Sequence, residues 1–247
     1  LLPLCKKPLA ELSFLDVGCS EGYLLSKLKA LGANEVLGCE PGPMAITGSK
    51  KHGIKIIHDF FKPELFNGKF DLVFSSGVLE HVKDPLHFFE QKKQVLKEEG
   101  TIFVGVPNCE RKLRLGDMSV LTHEHWNYFT EQSLKNILMK CGFTEVKTAI
   151  GRNQAMLYAW GIKCSRTQVQ KGYNVKSLND SNNSSDNSSD DYSDEKLFYS
   201  FCKKIRDSLS WFDERVCQLG KEGKSLGLYA GGFDLIGVLN NKCDVRF

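Results

Sequence analysis

An α/β fold, with a mostly parallel sheet and helices on both faces, is predicted by three features of the chain. Short apolar runs alternate with amphipathic stretches between residues 12 and 162, glycines punctuate the turns, and an acid ends each of the first three runs. Such alternation implies right-handed crossover connections, which set successive strands parallel.

The first run, FLDVG at 14–18, leads through Gly22 into GYLLSKLKALG, where Leu24, Leu25, Leu28 and Leu31 read as one helical face. EVLGCE at 35–40 and IKIIHD at 54–59 are the next two strands, and FDLVFSS at 70–76 the fourth. DPLHFFEQKKQVLKEEG then reads as a helix whose packed stripe is Leu86, Phe89, Lys93 and Leu96. After TIFVGVP at 101–107, Thr130 can cap a helix packed through Leu134, Ile137 and Leu138 and closed by Gly142. TEVKTAI at 144–150 and AMLYAWGI at 155–162 complete the runs, so residues 1–164 are expected to form one domain.

From residue 165 the pattern stops. NDSNNSSDNSSDDYSDE at 179–195 cannot bury enough apolar surface to offset its ordering entropy, and 165–195 is expected to be a disordered polar linker. An amphipathic helix begins near Glu195, with Phe198, Phe201, Ile205, Leu209, Phe212, Val216 and Leu219 at helical spacing. KSLGLYAGGFDLIGVLN then reads as a strand, a Gly231-Gly232 turn and another helix. Residues 196–247 thus read as the start of a second, truncated α/β unit, and both chain ends as cut from something longer.

The 247 residues carry a net charge of +3, and the densest basic cluster, KKHGIKIIHDFFK at 50–62, is thin. That is weak for a nucleic-acid footprint, so a small-molecule substrate and no nucleic-acid partner are expected. The nine cysteines form no CxxC pair, which points to a reducing, cytoplasmic setting rather than a disulfide framework. No apolar run is long enough for a membrane span, and the sequence leaves the oligomeric state open.

The strand ends carry the chemistry. Asp16, Gly18 and Gly22 make a D-x-G-x-x-x-G turn, which opens the backbone to a ligand but lacks the G-x-G-x-x-G of a dinucleotide cradle. Glu40, about 20 residues on, can accept hydrogen bonds from both hydroxyls of a ribose. Asp59 offers an acceptor for an exocyclic amine, and Phe60 a flat face for a base. Three acidic strand ends without a phosphate partner suit a nucleoside with a cationic part, such as a sulfonium.

FLDVGCSEG, VLGCEPG, HDFF and FDLVFSSGVLEHVKDP, in that order, resemble the successive motifs of class I S-adenosylmethionine-dependent methyltransferases over residues 12–162. The resemblance implies a Rossmann-like sheet of seven strands, the last antiparallel, and S-adenosylmethionine as cofactor. It places Asp16 and Gly18 near the methionine part of the cofactor, Glu40 on the ribose, and Asp59 and Phe60 at the adenine, with Cys19, Ser20, Gly22, Tyr23 and Pro41 also in the cofactor site. Ser75, Ser76, Gly77 and His81 would line the cleft after the fourth strand.

THEHWNYFT at 122–130 speaks to the acceptor. His-x-His is a usable metal-ligand pair, but no third and fourth ligand is evident nearby, and no metal is expected. The segment resembles a motif of nucleotide-sugar C-methyltransferases, with Thr122 where that group has a Tyr, and the C-terminal stretch resembles the start of that group's last domain. By that resemblance His125 is the base, assisted by Glu124, with His123 and Tyr128 beside it. C-methylation of a keto-sugar nucleotide is one reading; O-methylation of a small hydroxylated metabolite, or an inactive binding domain, are the others.

Overall fold

The computed structural model describes residues 4, 7–164 and 194–224. The expected linker and the Gly231-Gly232 turn lie outside these described residues, apart from the first residues of the last helix. Two compact units are present: Leu1–Asn108 with Glu124–Asn187, and Cys109–His123 with Ser188–Phe247. The division differs from an unbroken domain over 1–164, because Cys109–His123 groups with the C-terminal helix.

The first unit holds seven strands: β1 (Ser13–Val17), β2 (Glu35–Cys39), β3 (Lys55–Ile57), β4 (Phe70–Ser76), β5 (Leu96–Pro107), β6 (Phe143–Ile150) and β7 (Met156–Lys163). Its helices are α1 (Tyr23–Ala30), α2 (Met44–His52) and α3 (Pro85–Val95), and the second unit contributes α4 (Glu110–Leu115). The first unit then resumes with α5 (Glu131–Lys140), and the second ends with α6 (Asp194–Lys221). The strands form one sheet in the order β3-β2-β1-β4-β5-β7-β6. Strands β1 to β5 pair parallel, while β7 runs antiparallel to both β5 and β6. This is the Rossmann-like architecture the motifs implied.

After β3 the chain crosses to the far side of β1, so the connections leaving β1 and β4 part in opposite directions. In a parallel sheet that reversal opens a crevice at the carboxyl ends of the two strands. The alternation of side chains along β1 feeds both faces: Phe14 packs with Leu72, Phe74 and the α1 residues Leu25 and Leu28, while Leu15 and Val17 pack with Val73 and with Phe88 and Phe89 of α3. Each fully buried side chain of this kind contributes about 1.5–3 kcal/mol.

The helix faces are narrower than the leucine spacing suggests. Leu25 and Leu28 are buried, but Leu24 and Leu31 are 43% and 58% exposed, because one packed sheet face covers only part of the helix circumference. In α3 the buried residues are Phe88, Phe89, Lys92 and Val95, a stripe rotated from the expected one. Leu96 already belongs to β5, which runs back through the polar Lys97-Glu98-Glu99-Gly100. Asp84 caps α3 by accepting a hydrogen bond from the His87 N–H at 3.0 Å, ahead of Pro85.

In the second unit, α4 packs against α6: a Cβ on Gly116, just past α4, would lie 2.8 Å from Cβ of Lys204. The α6 residues Leu197 and Phe201 are buried. Among the described residues no helix is long and apolar enough to cross a membrane. The seven described cysteines are free thiols.

Helix α2 lies directly on the turn after β1. A Cβ added to Gly48 would sit 2.2 Å from the carbonyl oxygen of Glu21, a contact no side-chain adjustment relieves. Gly48→Ala is therefore expected to lower stability by about 1–3 kcal/mol, as overpacking does. Urea denaturation followed by circular dichroism reads this, and an unchanged midpoint would refute the close packing of α2.

Candidate functional site

The turn after β1 is shaped by backbone first. Gly18 has φ +80°, and a Cβ there would lie 2.3 Å from Cγ2 of Val78 in the loop after β4, so the two loops meet where only glycine fits. Gly18 N–H donates to the Cys39 carbonyl at 2.7 Å, tying the turn to the end of β2. Gly22 has φ +75° and precedes α1, and Ser20 is also left-handed at 52°. Tyr23 opens α1 and is exposed, with its ring edge-on to His52.

Glu40 joins this turn to the next. Its carboxylate accepts from Ser20 N–H at 3.0 Å and from Gly42 N–H at 2.7 Å. Two oxygens offer about four lone-pair sites, so acceptor capacity remains for a ligand. Pro41 is exposed at the same rim and its carbonyl meets His58 Nε2 at 3.1 Å. Asp59 follows β3, where its carboxylate accepts from Phe60 N–H at 2.7 Å, and the Phe60 ring is 71% exposed.

Asp16 is buried at the end of β1. Below it lies a group the sequence reading passed over: Lys92 of α3, with no exposed surface and its ammonium 2.5 Å from the Ser75 hydroxyl. Burial pushes the Asp16 carboxyl up to about 7, with the Lys92 charge opposing the shift and Glu40 adding to it. Burial likewise pushes Lys92 down to about 7 against the pull of Asp16. The sequence signal for Lys92 was its place three residues after Phe89, on the apolar stripe of α3. Ser75 is itself buried and engaged by Lys92, so its side chain belongs to the core rather than to the crevice. Ser76 and Gly77 are exposed at the strand end, with Gly77 at φ +69°. Cys19 is buried against Gly38, where a Cβ would lie 2.5 Å from its sulfur, and burial pushes its thiol up to about 12.

The histidine cluster is assembled from two separate segments. Leu79–His81 is a 3-10 turn after β4, and the Glu80 carbonyl accepts from Trp126 N–H at 2.8 Å and Asn127 N–H at 3.2 Å. The Asn127 amide donates to the Val82 carbonyl at 2.5 Å. Downstream, Thr130 and Ser133 form a reciprocal capping box that fixes the start of α5 and so the exit of this loop. These bonds bring the His125 ring within 4.9 Å of the His81 ring, centroid to centroid, at 75°, and Tyr128 lies 5.9 Å from His125. Partial burial lowers the His125 pKa below its ordinary value, with the His81 charge acting in the same direction and Glu124 against it.

Glu124 contributes its carbonyl, which faces His81 Nδ1 at 3.1 Å. His123 is exposed and belongs to the second unit. The group that converges is Glu80, His81 and His125, whose ligand atoms lie within 4.8 Å of one another. The third member of this group, Glu80, lies 45 residues upstream of His125, where spacing along the 122–130 motif could not show it.

Known proteins place this geometry. The model of a family described as a methyltransferase domain matches residues 1–148. A tRNA U34 carboxymethyltransferase of Aeromonas hydrophila is 30% identical over 158 residues, covering 57% of this chain and 47% of that protein. A ubiquinone biosynthesis O-methyltransferase of Pelagibacter ubique is 32% identical over 108 residues, covering 41% and 45%. The chain spans about half the length of these curated relatives. Among solved structures, the plantazolicin methyltransferase BpumL in complex with a substrate analogue and SAH aligns with a TM-score of 0.52 at 18% identity, covering 66% of this chain and 80% of that one.

The tRNA-modifying relatives overturn one expectation, that of a small-molecule substrate with no nucleic-acid partner. Net charge over a whole chain is a weak guide here, because phosphates are met by a few local Lys and Arg side chains. The matched span covers β1 to β5, their reversal point and the residues from Asp16 to Tyr128, and the chain belongs to the methyltransferase-domain family, with S-adenosylmethionine as its cofactor.

Proposed function

We propose that the chain transfers a methyl group from S-adenosylmethionine to a hydroxyl oxygen of an RNA nucleoside presented beside His81 and His125. The observation that carries the acceptor class is Trp126, next to His125 in sequence: its indole is 61% exposed, and Lys83 Nζ stands 4.6 Å over the ring. An open aromatic face with a cation on it suits a stacked base and its phosphate. The tRNA-modifying relatives support the nucleic acid, and the relative named an O-methyltransferase supports the oxygen. Neither relative is named for C-methylation, the reaction the His123-Glu124-His125 motif suggested.

In this reading Asp16 and Gly18 face the methionine part, Glu40 the ribose, and Asp59 with Phe60 the adenine. Cys19, Ser20, Gly22, Tyr23 and Pro41 shape the turns around them, and Ser76 and Gly77 close the crevice. A sulfonium near Asp16 favours its ionised form and offsets the cost of burying it. The acceptor oxygen attacks the methyl carbon in line; the O–CH₃ bond forms as the S–CH₃ bond breaks, and the electron pair stays on sulfur. The acceptor's proton is lost at the cluster around His125. The protein's share is alignment and exclusion of water.

Glu40→Ala is expected to raise the S-adenosylmethionine dissociation constant at least about tenfold, since each charge-assisted hydrogen bond is worth about 1.5–3 kcal/mol. Titration calorimetry measures it, with melting temperature recorded alongside, and unchanged affinity would remove Glu40 from the cofactor site.

Incubation with methyl-tritiated cofactor and bulk tRNA is expected to label acid-precipitable, ribonuclease-sensitive material. His125→Ala should abolish the label, and Trp126→Ala should raise KM by about fivefold to a hundredfold, the worth of one base–aromatic stack. Label that survives ribonuclease, or none in any RNA, would sink the RNA reading.

A further inference from the structure

We propose that Glu80, His81 and His125 form a binding site for a divalent transition-metal cation at the acceptor end of the crevice. The proposal rests on the reading of that cluster as the place where the acceptor loses its proton, and adds what draws the proton off.

Four observations converge. Glu80 is 3% exposed, and its Oε2 has no hydrogen-bond partner. A buried carboxylate oxygen left without a donor is costly, and a cation is the partner that satisfies it most fully. Secondly, its carboxylate and one ring nitrogen from each histidine lie within 4.8 Å of one another. Metal–ligand bonds are about 2.0–2.2 Å, so loading draws the three inward, and the exposed His81 ring has room to turn. Thirdly, His81 Nδ1 lies 3.1 Å from the Glu124 carbonyl. A carbonyl can only accept, so Nδ1 carries the proton and Nε2 presents its lone pair; this is the outer hydrogen bond that orients metal-bound histidines. Finally, the Glu80 carbonyl holds both Trp126 and Asn127 N–H groups, so the two ligand-bearing segments are strapped together before any cation arrives.

The donor set decides the class. Two imidazoles and one carboxylate suit zinc, cobalt, manganese or iron, whereas magnesium and calcium prefer oxygen throughout. Three protein ligands leave at least one position open for the acceptor hydroxyl. Bound there, the oxygen forms a metal–O bond, releases its proton to solvent near neutral pH, and attacks the methyl group as an alkoxide equivalent. No electron is gained or lost by the metal.

The test uses Co²⁺ added to the purified full chain, read by visible absorption and by metal content after dialysis. One equivalent is expected, with ligand-field bands and no sulfur-to-cobalt charge transfer, which separates this site from the free thiols. Glu80→Gln and His125→Gln should each weaken binding at least about tenfold, and cofactor affinity by calorimetry should stay within about twofold. Binding unchanged in both variants, or sulfur charge transfer alone, would overturn the site. Turnover on tRNA that resists chelator yet is lost in His125→Ala would refute the metal while leaving the transferase reading intact. Loss of turnover on chelation, restored by Co²⁺ or Mn²⁺, supports it.

Discussion

The side-by-side pairing of β1 with β4 is the constraint on which the site depends. Phe14, Leu15 and Asp16 register against Leu72, Val73 and Phe74, so both strands end at the same height while their loops leave in opposite directions. A Cβ on Gly18 would meet Val78, so the loops after these two strands approach closely. Glu40 locks the adjoining turn through two backbone N–H groups, and α2 presses on it through Gly48. The cofactor half is thus shaped by backbone geometry, and side chains fill positions already dictated by the sheet.

A buried lysine beneath a buried acid is an uncommon way to support that half. Lys92 reaches Ser75, and its charge and that of Asp16 ease each other's burial. Removing one partner alone would leave the other desolvated, which costs more than the pair itself contributes. The arrangement gives the buried Asp16 a counter-charge in Lys92. In the proposed reading the cofactor's sulfonium adds a second counter-charge.

How much of this could be read from the residues follows the same division. The seven strands, the turn glycines and the acids at 16, 40 and 59 were legible because each answers a local rule: period, φ or strand end. Lys92 was not, since the spacing set the stripe through Lys93, one position round the helix from the lysine that packing buries. The rotation of α3 and the early start of β5 at Leu96 were hidden for a related reason, because Lys97-Glu98-Glu99 is polar and strand pairing overrode its propensity. The grouping of Glu80 with His125 is long-range, and no spacing rule spans it.

In the proposed reading, the acceptor half can change without disturbing the cofactor half. His125, Trp126 and Tyr128 hang from one loop, held to the sheet by the Glu80 carbonyl, the Asn127–Val82 bond and the Thr130 cap. Those anchors use backbone groups, the Asn127 side-chain amide and a capping hydroxyl, so they constrain where the loop passes but not the identity of residues 125, 126 and 128. A chain can then keep the sheet, the crevice and the cofactor while its acceptor changes with a few substitutions in the loop, and the fold carries no acceptor identity. Identity here has to be argued from the exposed indole, the ammonium above it and the buried carboxylate behind the two imidazoles. In the proposed reading, these are the groups whose removal costs the chemistry most.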